Sequence, residues 1–382
     1  MQAPGLTPPP HIARIERKTL QVSPKSCWIF LSVICSDGHV GHGEATMEGH
    51  ETAVIAALDR LVTILPGSPA APARCRPLNF LPAIGHTSHA YTALSALDQA
   101  LWDAEGHRAG LGVSALLSDS PRPVRLYANV NRGIATRSPE GFAKAASLAL
   151  ADGYSMIKIA PFDGLDWRQG REDDTTALYE SGLDRIAAVR DALGGKAALA
   201  VDCHWRFDND SATQLITDLR AMDLYWLECP LPEPPDAVPD LRRLRGLCAA
   251  AGTRLAGLEN ANGLDAARPF IEGGAYDIIM PDVKYAGGIS ECLRIARAAD
   301  LCDVLCSPHN PTGPICHAAS LHLAAALANC PVLEHQFRET PLFDTIVDDR
   351  FAGLTQGHTT PPPGPGFGVP LHLERAEAAQ RA

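Results

Sequence analysis

The strongest constraint on the fold is a pattern that repeats from about residue 124 onward. Each time, a short apolar run ends in a polar or charged residue, and a loop and a segment with helical periodicity follow. Eight such runs occur: VRLYAN, SMIKIA, ALAVD, LYWLE, RLAGLE, YDIIMPD, DVLCSP and PVLEH. Strands that alternate with helices indicate a parallel sheet, and eight of them close most naturally into a barrel.

The residues before this repeat follow a different pattern, with strand-like IARIERKTL and CWIFLSVICSDGHVGHGEAT and helical ETAVIAALDRLVTIL. A chain of 382 residues has room for a barrel and a smaller domain. We predict an α+β capping domain over residues 1–122 and a barrel with the active site over residues 123–345. We expect a C-terminal segment, residues 346–382, to pack back on the capping domain.

Charge and composition exclude several classes of protein. The net charge of −11 argues against nucleic acid or an anionic membrane surface as the main partner. No apolar run reaches the roughly 18 residues of a transmembrane helix, and no secretory signal is evident at the N-terminus. The 11 cysteines form no CxxC pair, which is typical of reduced thiols. We therefore expect a cytoplasmic protein without disulfides.

Three acids close consecutive predicted strands: Asp202, Glu228 and Glu259, which are 26 and 31 residues apart. The carboxyl ends of barrel strands share one face, so the three side chains should converge there. A lone acid at a strand end is more often a helix cap or a loop residue, but capping does not explain three in succession. Because clustered carboxylates repel one another, we predict that they bind one hard cation, Mg²⁺ first and Mn²⁺ second.

Four more chemistry-bearing residues lie at the remaining strand ends: Lys158, Asp282, His309 and Glu334. Two simpler interpretations stay open at this point. His309 could be a loop histidine that satisfies a backbone group, and Lys158 could form an ion pair with a neighbouring metal ligand.

The ordered series VDCHW, WLECP, GLEN, MPDVKYAGG and SPHN, with GHGEAT before it and LEHQF after it, resembles the enolase superfamily, specifically its mandelate-racemase-like group. The resemblance covers the chain from about residue 11 to the tail. It implies an α/β fold, a (β/α)7β modified TIM barrel whose α+β capping domain comes from the N-terminal region and the C-terminal tail. It also implies a Mg²⁺ that stabilises the enolate formed by removing a proton α to a carboxylate.

The resemblance assigns a role to each strand-end residue. Asp202, Glu228 and Glu259 match the metal ligands, and His309 with Asp282 matches a dyad in which the carboxylate orients the imidazole base. Glu334 matches the acid that donates a hydrogen bond to the enolate oxygen, for which it must be protonated.

One departure from the family pattern bears on the chemistry. Members of the group usually have Lys-x-Lys on the second strand, whereas this chain has Lys158-Ile159-Ala160, so no second base stands at Ala160. The third strand instead carries His204 two residues after Asp202. This Asp-x-His pattern is similar to that of acid-sugar dehydratases such as D-galactonate dehydratase, in which it implies a general acid for the leaving β-hydroxyl. As an alternative, His204 is a further contact of the metal site.

The leading hypothesis is an acid-sugar dehydratase, a hydro-lyase that gives a 2-keto-3-deoxy acid. An epimerase or cycloisomerase is the alternative within the superfamily, and a non-catalytic metal-binding barrel is a remote third. We expect the partner to be a small carboxylate, an acid sugar, and the protein to be a homo-oligomer. Loops around residues 24–28 and 46–50 should set specificity, with Arg132, His50 and Tyr285 as candidate substrate contacts.

Overall fold

The computed structural model describes residues 10–23, 26–167, 173–351 and 353–376. The N-terminal region begins with an antiparallel sheet of β1 (Ile12–Gln21), β2 (Cys27–Cys35) and β3 (Val40–Glu44), in that order. Its helices follow along the chain: α1 (Glu51–Ile64), α2 (Pro72–Cys75), α3 (Leu81–Ile84), α4 (Ser88–Ala109) and α5 (Val113–Leu117). The long helix α4 packs on β3 and β2 and covers one face of this sheet.

Eight parallel strands in the described residues form the second sheet. They are β4 (Val124–Asn129), β5 (Met156–Ile159), β6 (Ala198–Asp202), β7 (Leu224–Glu228), β8 (Arg254–Gly257), β9 (Ile278–Ile279), β10 (Leu305–Cys306) and β11 (Leu333–Gln336). The strands follow chain order around the sheet, and β11 pairs with β4. Two hydrogen bonds link the end of β10 to the segment before β11: Cys306 N donates to Asn329 O, and Ser307 Oγ donates to Val332 O.

One helix separates each pair of successive barrel strands. These helices are α6 (Pro139–Ala151), α7 (Asp173–Leu193), α8 (Asn209–Asp218), α9 (Val238–Ala250), α10 (Leu264–Glu272), α11 (Gly288–Asp300) and α12 (Pro314–Ala326). Local sequence signals explain where two of these helices begin. Ser138 caps α6 ahead of Pro139, and Asp208 with Ser211 forms a capping box on α8. The sequence-based prediction of a (β/α)7β barrel is therefore confirmed.

Apolar side chains occupy three separate cores. The largest lies between the barrel strands and their helices, and a second holds α1 and α4 against the N-terminal sheet. The third fills the barrel interior, where the ring centroids of Tyr127 and Trp226 are 5.2 Å apart in an edge-on arrangement. The barrel is thus a packed core whose polar end is left for chemistry.

The N-terminal region docks on the barrel through buried carboxylates. Asp98 of α4 accepts hydrogen bonds from Ser290 N (2.9 Å) and Ser290 Oγ (2.6 Å) at the start of α11. Gly288 has φ of +87°, and a Cβ there would lie 2.4 Å from the Cβ of Asp98. Only glycine allows this backbone to come so close to α4.

The tail contacts both parts of the molecule. Helix α13 (Leu342–Thr345) follows β11, and β12 (His358–Thr359) pairs antiparallel with β4. Further on, Phe367 N donates to Asp103 Oδ1 of α4 over 2.7 Å. All 11 cysteines are free thiols. In the part of the chain that is described, no helix has the length and apolar character to cross a membrane.

Candidate active site

Three acids converge at the carboxyl ends of neighbouring barrel strands. Asp202 ends β6 and lies opposite Glu228, which ends β7, and Glu259 follows β8 by two residues. One oxygen from each carboxylate lies within 4.8 Å of the others, and all three residues are buried. Because Glu259 Oε2 is buried without a hydrogen-bond partner, the arrangement has an acceptor that a cation would satisfy.

The backbone beside each of these acids is left-handed at a residue other than glycine. Cys229 has φ of +45° and Leu258 has φ of +77°, next to Glu228 and Glu259, and His204, two residues after Asp202, has φ of +47°. Such conformations require about 1 kcal/mol or more at each residue, so the surrounding structure must hold them. Strain of this kind concentrates where the chain must aim functional side chains.

A buried lysine balances part of the negative charge. Lys158 Nζ lies 2.7 Å from Glu228 Oε1, 2.9 Å from Glu334 Oε1 and 4.0 Å from Asp202 Oδ2. Burial opposes its charge, but these carboxylates raise the pKa of Lys158 well above its usual value. The ammonium is thus held by the acids of the site, the ion-pair interpretation that the sequence left open.

Glu334 lies among hydrogen-bond donors and one buried cation. Burial raises the pKa of Glu334. Lys158, His309 and the amide of Asn310 have the larger, opposite effect, and the net result is a pKa lowered to about 2. Its oxygens also accept hydrogen bonds from Asn129 Nδ2 (2.7 Å) and Asn310 N (2.9 Å). These contacts favour the ionised carboxylate, and the role of Glu334 as a donor to the enolate oxygen stays a prediction.

His309 and Asp282 form a buried pair. His309 Nδ1 lies 2.8 Å from Asp282 Oδ2, and His309 Nε2 lies 3.4 Å from Glu259 Oε2. Burial lowers the pKa of His309, but Glu259, Glu334 and Asp282 together raise it above its usual value. The carboxylate of Asp282 therefore orients the imidazole so that Nε2 is the nitrogen available for chemistry.

His204 lies at the edge of the metal-ligand cluster. Its Nε2 is 2.9 Å from Asp202 Oδ2, and its side chain is 44% exposed. The charge of Asp202 is the main reason that the pKa of His204 rises to about 9, which burial opposes. This direction favours the imidazolium, a form that can donate a proton, and the ring also contacts an acid of the metal-ligand cluster.

Asp202, His204, Glu259 and His309 open onto a cavity of about 600 Å³ between the two regions of the chain. Its lining comprises Met47, Glu48, His50, Ser88, Asn129, Asn131, Arg132, Asp202, His204, Trp205, Glu259, Asn260, Asn262, Tyr285, His309 and Pro311. All three candidate substrate contacts are in this set. Of the two loops predicted to set specificity, 46–50 supplies lining residues, while residues 24 and 25 lie outside the described residues.

The three candidate substrate contacts differ in the protein groups that their side chains already contact. Arg132 Nη2 donates to Glu48 Oε2 (2.9 Å), and Arg132 Nη1 donates to Glu339 Oε2 (3.1 Å). His50 Nδ1 lies 3.2 Å from His89 Nε2, and the His50 side chain does not cap α1. The Tyr285 ring stands 6.4 Å from the His309 ring, between centroids.

Sequence reasoning missed two residues that support the site, the buried Lys284 and the partly buried Glu233. Lys284 Nζ lies 3.4 Å from Asp282 Oδ2 and donates to Pro311 O over 3.0 Å, which joins the loops after β9 and β10. Glu233 accepts from Trp205 Nε1 (3.0 Å) and Leu258 N (2.7 Å), which fixes the segments after β6 and β8. The sequence offers a signal for Lys284, which stands two residues after the strand-end Asp282. It offers none for Glu233.

Two family profiles match this chain. Residues 6–118 match the mandelate racemase/muconate lactonizing enzyme N-terminal domain, and residues 141–376 match the enolase C-terminal domain-like family. Together the two matches cover most of the sequence.

Three relatives named as sugar-acid dehydratases match nearly the whole chain. The D-galactonate dehydratase of Verminephrobacter eiseniae is 31% identical over 376 residues, which cover 94% of this chain and 93% of that protein. The D-galactonate dehydratase of Pectobacterium atrosepticum is 30% identical, covering 91% of this chain and 89% of the relative. The D-xylonate dehydratase of Haloferax volcanii is 29% identical, covering 94% and 87%.

Solved structures share the fold. The mandelate racemase/muconate lactonizing enzyme of Jannaschia sp. CCS1 superposes with a TM-score of 0.85 at 24% identity, covering 96% of this chain and 97% of that one. The corresponding protein of a Sulfitobacter species gives a TM-score of 0.83 at 24% identity, covering 96% and 95%.

Proposed function

Since the chain belongs to the mandelate racemase/muconate lactonizing enzyme family of the enolase superfamily, we propose that it is a divalent-metal-dependent dehydratase of acid sugars. This makes it a carbon–oxygen lyase, as its named relatives are. The observation that carries the proposal is the pairing of two histidines with one acid cluster: His309 beside Glu259 and His204 beside Asp202.

Asp202, Glu228 and Glu259 would hold the metal, and their all-oxygen donor set suits Mg²⁺, or Mn²⁺ as a substitute. The unpartnered Oε2 of Glu259 supports this fit. When bound, the ion supplies Lewis-acid stabilisation of the charge that develops on the substrate carboxylate.

The two histidines divide the proton transfers. His309, oriented by Asp282, accepts at Nε2 the proton on the carbon next to the substrate carboxylate. His204, whose imidazolium form Asp202 favours, donates a proton to the β-hydroxyl, which leaves as water while the carbon–carbon double bond forms. The resulting enol tautomerises to a 2-keto-3-deoxy acid. Lys158 offsets part of the negative charge of the acid cluster and also pairs with Glu334.

We infer that the substrate has one carboxylate, as an aldonate does, and not two. Arg132 is the one lysine or arginine among the described lining residues, and Glu48 and Glu339 already pair with its guanidinium. Among the described lining residues, a second carboxylate would meet no lysine or arginine that lacks a carboxylate partner. Neutral amides at Asn131, Asn260 and Asn262 suit the hydroxyls of a sugar chain instead.

The experiment is a panel of five- and six-carbon aldonates and aldarates, incubated with purified protein and Mg²⁺ in D₂O. Semicarbazide detects the keto acid, and NMR detects deuterium at the α-carbon. We expect keto acid from at least one aldonate, and none from the His309→Asn variant. Deuterium exchange without loss of water would instead support an epimerase or cycloisomerase. If Mg²⁺ bound but no substrate exchanged, the non-catalytic alternative would replace the proposal.

Cytoplasmic location and assembly into a homo-oligomer stay predictions alongside this function. Native mass spectrometry of the purified chain measures the second of these directly.

A further inference from the structure

Glu44 is a buried carboxylate of the N-terminal region, and among the described residues its hydrogen bonds come from backbone amides and hydroxyls. It ends β3, and none of its side chain is exposed. Oε1 accepts hydrogen bonds from Thr46 Oγ (2.7 Å), Thr312 Oγ (2.9 Å) and Gly313 N (2.8 Å), and Oε2 accepts from Cys316 N (3.1 Å). Three of these four donors belong to the barrel.

The three barrel donors lie at the start of α12, where no side chain of the N-cap residue accepts a hydrogen bond from the helix. The residue before the helix is Gly313, which has no side chain to offer, and Pro314 follows it. Glu44 therefore satisfies the free amides and the positive end of the helix dipole from another part of the chain. A Cβ on Gly313 would lie 2.9 Å from both Glu44 oxygens, so a side chain there would displace the carboxylate.

The segment that Glu44 holds is the loop that carries His309. Residues 307–313 connect β10 to α12, and His309 begins their last five residues, the 309–313 loop. Within this loop, Asn310 is fixed by Glu334, and Pro311 O accepts a hydrogen bond from Lys284 Nζ. Glu44 is the anchor for the loop's last two residues, and it is the one anchor among these that comes from the N-terminal region.

We propose that Glu44 is a positioning residue for the proton transfer at His309, and that the N-terminal region sets the place of the base through it. The proposal rests on the proposed function for its kinetic consequence. A displacement of about 1 Å at a reacting group lowers rates by up to about a hundredfold, so loss of this anchor should affect turnover more than binding.

The test compares Glu44→Gln, Glu44→Asp and wild type, with Asp103→Asn as the matched control. Glutamine keeps the shape of Glu44 but places an NH₂ group against an N–H donor and removes the charge. Asp103 is also a fully buried carboxylate that accepts two backbone N–H bonds, from His42 and Phe367, but it does not contact the 309–313 loop. Turnover with an aldonate and hydrogen exchange of peptides from this loop are measured for each protein.

We expect Glu44→Gln to lower kcat by about tenfold or more while KM changes by less than about threefold, and to raise exchange in the 309–313 loop. Glu44→Asp should recover part of the rate because it restores the charge. Asp103→Asn should lower the melting temperature but keep kcat within about twofold of wild type. An unchanged kcat in Glu44→Gln, with only its melting temperature lowered, overturns the proposal.

The two proposals fail separately. If the wild type dehydrates no acid sugar, the proposed function fails, and hydrogen exchange alone then decides the role of Glu44. In that case, equal exchange of the loop in Glu44→Gln and wild type overturns the positioning role, and faster exchange supports it.

Discussion

His309 Nδ1 lies 2.8 Å from Asp282 Oδ2, with Asp282 fully buried, so the ring presents its other nitrogen to the cavity. This contact fixes both the tautomer and the orientation of the imidazole. The dyad is therefore the part of the site most sensitive to small chemical changes.

Asp282→Asn should lower kcat by about a thousandfold or more, because an amide stabilises the wrong tautomer of His309 and cannot support its positive charge. Binding of Mg²⁺, measured by calorimetry, should stay within about threefold of wild type, since Asp282 is not in the carboxylate triad. A variant with near-normal turnover would show that His309 does not act as the base.

Lys158→Met should destabilise the metal-free protein by about 3–5 kcal/mol, because it leaves Glu228 and Glu334 buried without their cation. Excess Mg²⁺ should reduce this loss, since the ion would supply positive charge to the same cluster. Urea unfolding in EDTA and in MgCl₂ measures both values, with exposed Lys144→Met as the control. An equal loss in the two conditions would contradict binding of the ion beside Glu228.

Freeing Arg132 should widen the substrate range. In the double variant Glu48→Gln/Glu339→Gln the guanidinium loses both carboxylate partners and can pair with a second substrate carboxylate. We expect kcat/KM for an aldarate, relative to an aldonate, to rise on the order of tenfold at low salt. Glu16→Gln, which removes a surface carboxylate paired with Arg14, should leave the ratio unchanged.

Acid should destabilise the fold through His322. Burial lowers the pKa of His322 from 6.5 to about 4. Between these pH values the unfolded chain binds more protons than the folded one, so the free energy of unfolding decreases as the pH is lowered. His322→Gln keeps an acceptor for Ser114 N but does not titrate. Between neutral pH and pH 4, wild type should lose roughly 3 kcal/mol more than the variant in urea unfolding. Parallel stability curves would rule out this contribution.

Periodicity predicted most of the barrel because strand ends recur once per strand–helix unit. Asp202 and Glu228 are the last residues of β6 and β7 and lie opposite each other, as the spacing required. Glu259, Asp282 and His309 follow shorter strands by two or three residues, yet they reach the same face. A ring of side chains at one depth is a property of the fold, so single-sequence reasoning can find it.

Pairings between distant segments could not be predicted in the same way. The sequence makes Arg132 a candidate contact for substrate but does not reveal that Glu339 pairs with it, because Glu339 is 207 residues away along the chain. The charge of Glu334 depends on Lys158, which approaches it only when β4, β5 and β11 come together in the barrel. Neither fact follows from local pattern, because tertiary packing decides which acid meets which base.

Two carboxylates of the N-terminal region, Asp98 and Glu44, accept hydrogen bonds from the starts of barrel helices. This arrangement sets the order in which the two regions can fold and dock during synthesis. Asp98 leaves the ribosome 192 residues ahead of Ser290, and Glu44 leaves 269 residues ahead of Gly313. The first region of the chain can fold early, but its buried acids must wait, solvated, for α11 and α12 to emerge. Docking is thus a late step of maturation, and the loop carrying the base reaches its final place only when nearly all of the chain has been translated.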